Sequence, residues 1–204
     1  VTKNDENEKY IFNMQKIIEG DFFSMKEDIR KEIVPEEGVQ IELSESVLKV
    51  KGPKSEVERK FVHPKIKLTI EGGKVVLLAL KATKREKTII GSFEAHIKNM
   101  VKGVIEPHIY KLKICSGHFP MNVSVSGQDL IIKNFLGESV PRKITFKEGV
   151  SVKVNGTEID VISADKELAG QTAAKIETLC RITNRDRRIF QDGCYITLKA
   201  GKEI

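Results

Sequence analysis

Alternating apolar and polar residues recur along the chain and predict two similar sets of short strands. The stretch "KLTIEGGKVVLLAL" (67–80) predicts a β-hairpin, because strand-like apolar runs flank Gly72-Gly73. About eighty residues later, "GVSVKVNGTEIDVIS" (149–163) predicts a second hairpin. Its turn is expected at Asn155-Gly156, a residue pair that suits two-residue hairpin loops.

Each predicted hairpin precedes a stretch in which apolar residues are spaced as in an amphipathic helix. "GSFEAHIKNM" (91–100) in the first stretch aligns with "GQTAAKIETL" (170–179) in the second, and "VERKF" (57–61) aligns with "VPRKI" (140–144). The pattern therefore predicts an α+β fold made by tandem duplication. Each of its two similar domains is expected to contain a mostly antiparallel sheet packed on one helix.

The repeat also predicts the domain boundaries. The first domain is expected over residues 33–116 and the second over 117–182, with a basic C-terminal segment, 183–204, completing the second domain. Residues 1–32 lie outside the repeat as an N-terminal extension. The capping-box spacing of Ser24-Met-Lys-Glu27 favours a helix that starts there, and a disordered extension is the alternative.

Charge is distributed unevenly between the first 38 residues and the rest of the chain. The net charge is +6, yet residues 1–38 hold six basic against ten acidic residues. The remaining chain is therefore strongly basic, which favours a polyanionic partner, most commonly nucleic acid. The chain contains no apolar run long enough to span a membrane, and its first residues are not typical of a secretory or mitochondrial targeting sequence. Three cysteines without C-x-x-C spacing favour reduced thiols in the cytosol.

Motifs that indicate catalysis are missing from the sequence. Lys54-Ser55 follows a single glycine, Gly52, whereas a phosphate-binding loop requires two glycines that bracket four residues. The four histidines are isolated from one another, and no metal-binding spacing or acid/base pair can be recognised. We therefore expect no enzymatic activity, no cofactor, no metal and no small-molecule substrate.

Clusters of basic residues are more numerous. Each cluster alone is compatible with a solvated surface, but together they favour phosphate binding. No DNA-binding motif or aromatic RNA-stacking platform is recognisable, which favours contacts with the backbone of a folded RNA. The predicted RNA-binding residues are Lys84, Arg85, Lys111, Lys113, Lys133, Arg142, Arg185, Arg187, Arg188 and Lys199.

Several short motifs, in order, resemble one known family. They are "NMVKGV" (99–104), "YKLK" (110–113), "HFPMNV" (118–123), "NFLGE" (134–138) and "RRIFQDGCYI" (187–196). Together they resemble the universal large-subunit ribosomal protein six family in its archaeal and eukaryotic form, whose eukaryotic 60S member is called large-subunit ribosomal protein nine. The resemblance runs from about Ile33 almost to residue 200.

The resemblance implies a non-enzymatic protein of two similar α+β domains that binds large-subunit ribosomal RNA, largely through its C-terminal domain. It implies a position near the stalk base and the sarcin–ricin region. Arg185 and Arg188 match basic positions of the family's C-terminal motif, and Arg187 is the weaker candidate. Phe190 matches the aromatic residue of that motif, Asp192-Gly193 its turn and Lys199 its closing basic residue. Thr178 and Cys194 depart from the family pattern, which usually has Gln and an aliphatic residue there.

We therefore predict a structural constituent of the large ribosomal subunit in the cytoplasm. Its expected partners are large-subunit ribosomal RNA and neighbouring ribosomal proteins, the latter through residues 1–32, with no membrane. The alternative is a free-standing RNA-binding module outside the ribosome. An enzyme with a pocket of titratable groups is a second alternative, which no residue pattern supports.

Overall fold

The computed structural model describes residues 26–36 and 38–204, which form two units with the same order of elements. The first unit has two antiparallel three-stranded sheets, in the orders β1-β6-β5 and β2-β3-β4. Its one helix, α1, contacts strands of both sheets. The elements are β1 (Glu27–Ile33), β2 (Gln40–Ser44), β3 (Val47–Lys51), β4 (Glu56–Lys60), β5 (Ile66–Glu71), β6 (Lys74–Ala82) and α1 (Lys84–Ile105).

The second unit repeats this order and then adds two strands. Its antiparallel sheets have the orders β8-β9-β10 and β11-β12-β7-β13-β14, and its helix α2 contacts both of them. The strands that precede the helix are β7 (His108–Cys115), β8 (Asn122–Ser126), β9 (Asp129–Lys133), β10 (Arg142–Thr145), β11 (Ser151–Asn155) and β12 (Glu158–Ser163). A turn of 3-10 helix spans Phe135–Gly137, and α2 (Lys166–Leu179), β13 (Gly193–Lys199) and β14 (Lys202–Glu203) complete the unit.

Each unit has its own hydrophobic core. Leu48 and Val50 of β3 are fully buried in the first core, and Leu130 and Ile132 occupy the matching places of β9 in the second. Their polar neighbours face outward, as the two-residue period of a strand requires. The structure thus confirms the predicted duplicated α+β fold, with the strands that precede each helix divided between two sheets. Among the residues described, neither helix is both long and apolar enough to cross a bilayer.

The start of the first unit differs from the sequence-based prediction. Glu27–Ile33 form strand β1 and pair with β6, so the helix predicted from Ser24 is wrong for these residues. The pairing places Ile33 in the first core and packs Ile29 against that core. The stabilisation from this tertiary packing outweighs the local preference for a helix. Residues 1–25, including the rest of the predicted extension, lie outside the described residues.

The boundary between the units also differs from the predicted one at residue 116. Strand β7 pairs with β12 and β13, and its residues Tyr110 and Leu112 are buried in the second core. The second unit therefore begins at His108, just as the first begins with β1. The loop of the second hairpin is Gly156-Thr157 and not Asn155-Gly156, because Asn155 pairs with Glu158.

The two units touch through close backbone packing, an ion pair and a contact of a histidine ring. A Cβ atom on Gly103 of α1 would lie 2.0 Å from the carbonyl oxygen of Ala164, so only glycine fits there. Arg59 of β4 donates to Glu167 of α2 at 2.5 Å. The His108 ring, at the start of the second unit, lies 3.1 Å from the Asn99 carbonyl oxygen of α1. These contacts fix the position of the second unit relative to the first.

Candidate nucleic-acid interface

The chain leaves α2 through a loop that we call the arginine segment, residues 181–192. Four of its residues are arginines, and Asp186 and Asp192 are its only acidic residues. The segment contains no helix or strand, and its turn lies at residues 187–189. Buried side chains hold both ends, with Ile182 at the start and Asp192 at the finish. A loop held in this way can present charges at fixed positions.

Asp192 anchors the end of the arginine segment to another loop. Its side chain is 3% exposed, and it accepts hydrogen bonds from the backbone N–H groups of Gly117 and His118. Its Oδ2 lies 2.9 Å from the His118 ring Nδ1. Burial alone raises the pKa of Asp192, but the two N–H groups and the imidazole outweigh it, so the pKa lies below its usual value. Asp192 is therefore ionised and holds the loop at 117–118 by hydrogen bonds.

An aromatic stack connects Asp192 and its partner His118 to Arg185. The His118 ring stacks on the Phe190 ring, with centroids 4.6 Å apart and an interplanar angle of 29°. The Arg185 guanidinium carbon lies 4.9 Å from the Phe190 centroid, which is a cation–π contact. Arg185 is exposed, so its guanidinium is held by Phe190 while it remains accessible to a ligand.

Arg188 and Arg187 are held less firmly. Arg188 forms a two-point ion pair with Asp186, with Nη2 2.8 Å from Oδ2 and Nε 3.1 Å from Oδ1. The Arg188 side chain is 90% exposed, so this pair contributes little to stability. It fixes the direction of the guanidinium, whose remaining N–H groups face solvent. Arg187 is exposed and borders a cavity of about 300 Å³ with Tyr195 and the two cysteines Cys180 and Cys194.

Arg142 has several partners within the second unit. Its Nε donates to Glu138 at 2.8 Å, Nη1 donates to the Leu179 carbonyl at the end of α2, and its guanidinium lies 4.2 Å from the Phe135 centroid. A cation at the C-terminus of a helix binds carbonyl groups that have no partner within the helix. Arg142 thus fixes the point at which the arginine segment starts, and it has few donors left for RNA.

The predicted lysines of the second unit lie on its strands. Lys111 and Lys113 are exposed on the face of β7 opposite α2, where Asp160 and Glu158 of β12 pair with them in register and reduce the local positive charge. Lys111 Nζ lies 3.8 Å from Glu158. The two other lysines predicted to bind RNA in this unit, Lys133 at the end of β9 and Lys199 at the end of β13, are exposed.

Lys84 and Arg85 are separated from this group. They are exposed in the first turn of α1, in the first unit. Gly103, which touches the second unit, lies roughly 28 Å further along the helix axis at 1.5 Å per residue. The structure therefore does not bring these two residues together with the arginine segment.

The structure also corrects the predicted turn and adds a residue that the sequence-based prediction missed. Asp192-Gly193 is not a turn, because Asp192 is bonded to the loop at 117–118 and Gly193 already starts β13. The missed residue is His118, which in the sequence is one of four isolated histidines, although it lies in the motif "HFPMNV". In residues 26–36 and 38–204, no three His, Cys, Asp or Glu side chains are grouped as metal ligands would be.

A comparison with protein families finds a match in both units. The model of the family described as ribosomal protein L6 matches residues 35–106 and 119–193, one stretch in each unit, and the second includes the whole arginine segment. The chain belongs to the ribosomal protein L6 family. L6 proteins are structural and not enzymatic, in agreement with the prediction from the sequence.

Two archaeal relatives support the L6 assignment over most of the chain. The large ribosomal subunit protein uL6 of Nanoarchaeum equitans (strain Kin4-M) is 46% identical over 184 residues, which cover 86% of this chain and 96% of that protein. The large ribosomal subunit protein uL6 of Methanococcus vannielii is 45% identical over 176 residues, which cover 86% and 97%. The resemblance inferred from short motifs is thus confirmed.

Proposed function

We propose that this L6-family protein is a structural component of the large ribosomal subunit in the cytoplasm and binds large-subunit ribosomal RNA through its arginine segment. The names of its archaeal relatives support a place in the large subunit. The family resemblance supports a position near the stalk base and the sarcin–ricin region, beside neighbouring ribosomal proteins.

One observation carries the proposal of RNA binding, namely the chain of contacts from Asp192 through His118 and Phe190 to Arg185. A solvated charge cluster does not require a buried carboxylate and two stacked rings to hold it. Since the arginine is fixed before the ligand arrives, little side-chain entropy is lost when it binds a phosphate. The ion pair with Asp186 orients Arg188 less firmly.

The mechanism that we propose is electrostatic. Arg185, Arg187 and Arg188 neutralise phosphates of one RNA element and release its counterions. Lys133 and Lys199 supply further contacts in the second unit. Lys111 and Lys113 contribute less because acidic partners lie beside them. Lys84 and Arg85 reach a separate RNA element from the first unit. Arg142 acts indirectly, by holding the start of the arginine segment.

The test compares two triple variants that remove the same charge. Arg185, Arg187 and Arg188→Ala should lower affinity for a large-subunit RNA fragment about tenfold or more, because charge-assisted hydrogen bonds contribute roughly 1.5–3 kcal/mol each. The slope of log affinity against log salt should become less steep by roughly two to three. The control is Lys54, Lys60 and Lys67→Ala, three exposed residues of the first unit. Equal losses in both variants would show that only net charge matters and would refute the proposed site.

Sedimentation separates the ribosomal role from a free-standing RNA-binding module. On a sucrose gradient the tagged protein should migrate with large ribosomal subunits, and the arginine variant should shift toward the top of the gradient. A protein that binds RNA with the expected salt dependence but never migrates with large subunits would instead be the free-standing module.

A further inference from the structure

Two cysteines flank the arginine segment. Cys180 caps the end of α2 and is 4% exposed, and Cys194 is the second residue of β13 and is 1% exposed. Both border the cavity of about 300 Å³ that also contacts the exposed residues Arg181 and Arg187. Small molecules can therefore reach a buried pair of thiols from the surface of the arginine segment.

Cys180 and Cys194 lie in the same hydrophobic core and border the same cavity. Hydrogen bonding from the Cys194 side chain and backbone N–H lowers the pKa of Cys180. The third cysteine, Cys115, is differently placed, because the residue of β7 opposite Cys194 is Ile114. Side chains of successive strand residues point to opposite faces, so Cys115 lies on the other face of this sheet. The structure thus selects one pair among the three thiols.

We propose that Cys180 and Cys194 are an oxidisable dithiol whose disulfide closes the arginine segment into a covalent loop. This modification site goes beyond RNA binding and does not depend on it. The disulfide would join the end of α2 to the start of β13, and it would hold both ends of the loop that presents Arg185, Arg187 and Arg188. Both thiols are free in the structure described here.

The surroundings decide which thiol reacts first. The hydrogen bond from Cys194 lowers the pKa of Cys180 against the effect of burial, and the Arg142 guanidinium lowers it further. The same contact, together with burial, raises the pKa of Cys194. Cys180 is therefore the nucleophile, and Cys194 is the resolving thiol.

The oxidant that we consider is a peroxide. The Cys180 thiolate attacks one peroxide oxygen, the O–O bond breaks, and the leaving oxygen takes up a proton to become water. The resulting sulfenic acid on Cys180 is then attacked by the Cys194 sulfur, which loses its proton. The S–S bond forms and the hydroxyl leaves as a second water. Two thiols are oxidised by two electrons, and one peroxide is reduced to two waters.

The experiment counts thiols in the folded full-length protein. After hydrogen peroxide treatment, unfolding and alkylation with N-ethylmaleimide, the number of labelled cysteines should fall from three to one, with Cys115 still labelled. Peptide mapping should find Cys180 linked to Cys194, and dithiothreitol should restore three labels. In Cys115→Ser the count should fall from two to zero, and in Cys180→Ser it should stay at two.

Three results would overturn the proposal. They are continued labelling of both Cys180 and Cys194, a linkage that includes Cys115, or loss of label that dithiothreitol cannot reverse. Cys115→Ser leaves the buried pair intact, so the results for this variant and for the unaltered protein do not depend on the folding of a variant altered in the core. RNA affinity is not part of the readout, so failure here leaves the proposed RNA-binding function untouched.

Discussion

The first unit ends with α1, whereas the second continues beyond α2 through residues 180–192 into two additional strands. After α1 the chain passes through Glu106 and Pro107 directly into β7. After α2 it forms the arginine segment, and β13 then extends the sheet beside β7. The duplicated scaffold is therefore the same in both units, and the candidate RNA site lies in the part that only the second unit has. This difference agrees with the view that a binding site is added to a fold and is not a property of the fold itself.

A second comparison concerns the aligned residues Arg59 and Arg142. They occupy the same position in the two copies of the repeat, and both bind partners within the protein. Arg59 donates to Glu167 and ties the first unit to α2, whereas Arg142 donates to Glu138 and to the end of α2. Both arginines therefore support the second helix, from which the arginine segment starts. A basic residue in an aligned motif is thus not by itself evidence of an RNA contact.

The largest expected effect comes from the matching core residues Leu48 and Leu130. Each is fully buried in its own core, so Leu48→Ala and Leu130→Ala should each cost about 2–5 kcal/mol of folding free energy. Hydrogen exchange measured by mass spectrometry should rise mainly in the altered unit, because the cores are separate. RNA affinity should fall more in Leu130→Ala than in Leu48→Ala. Equal exchange in both units for either variant would show that they unfold as one.

The repeat, the two hairpins and both helices could be predicted because they depend on local periodicity. The capping-box spacing shows where local patterns fail. It occurs at Ser24-Met-Lys-Glu27, yet Glu27–Ile33 form a strand because β6 pairs with them. The same spacing at Thr83-Lys-Arg-Glu86 does start a helix, α1. The two stretches differ in whether a distant strand pairs with them. Local periodicity carries no information about such pairing.

The candidate site could be predicted in part for the same reason. The arginines are visible as a charge cluster in the sequence. The contact between Asp192 and His118, which are 74 residues apart, depends on β7 and β13 being neighbours. The contact of Arg142 with the Leu179 carbonyl depends equally on the packing of α2 beside β10. The residue types predict where the charges lie in the sequence. The sheet topology determines which charged side chains are fixed by contacts with distant residues.

The next largest effect concerns the contact that joins the two units. Gly103→Ala would place a Cβ atom 2.0 Å from the Ala164 carbonyl oxygen, so we expect a loss of about 1–3 kcal/mol as the units move apart. Gly91→Ala in the same helix is the matched control, because no atom lies within 4 Å of the new methyl group. It should stabilise by about 0.5–1 kcal/mol through helix propensity. Urea unfolding followed by circular dichroism measures both, and a stabilising Gly103→Ala would contradict the close packing of the units.

The smallest expected effect compares the helix starts of the two units under acid. Glu86 of α1 accepts hydrogen bonds from the Thr83 hydroxyl, the Thr83 backbone N–H and Lys65, which lower its pKa from 4.5 to about 2. In α2, Asp165 caps the helix by accepting from the Glu167 N–H at 2.8 Å. Both caps satisfy N–H groups at a helix start, but in α1 the third helical residue supplies the carboxylate.

The sign of the acid effect follows from the lowered pKa of Glu86. Its charge stabilises the folded protein fully above about pH 4.5, and this contribution is lost as the pH falls toward 2. Glu86→Gln retains a side chain that suits this capping position but removes the charge. Its thermal midpoint should lie below that of the unaltered protein by a constant amount from pH 5 to 7, and the difference should shrink between pH 4.5 and 2. Asp165→Asn is the control for the second unit, and at pH 7 it should unfold close to the unaltered protein, because Asn caps as well as Asp. A gap for Glu86→Gln that stays constant down to pH 2 would show that the lost interaction does not depend on the charge of Glu86.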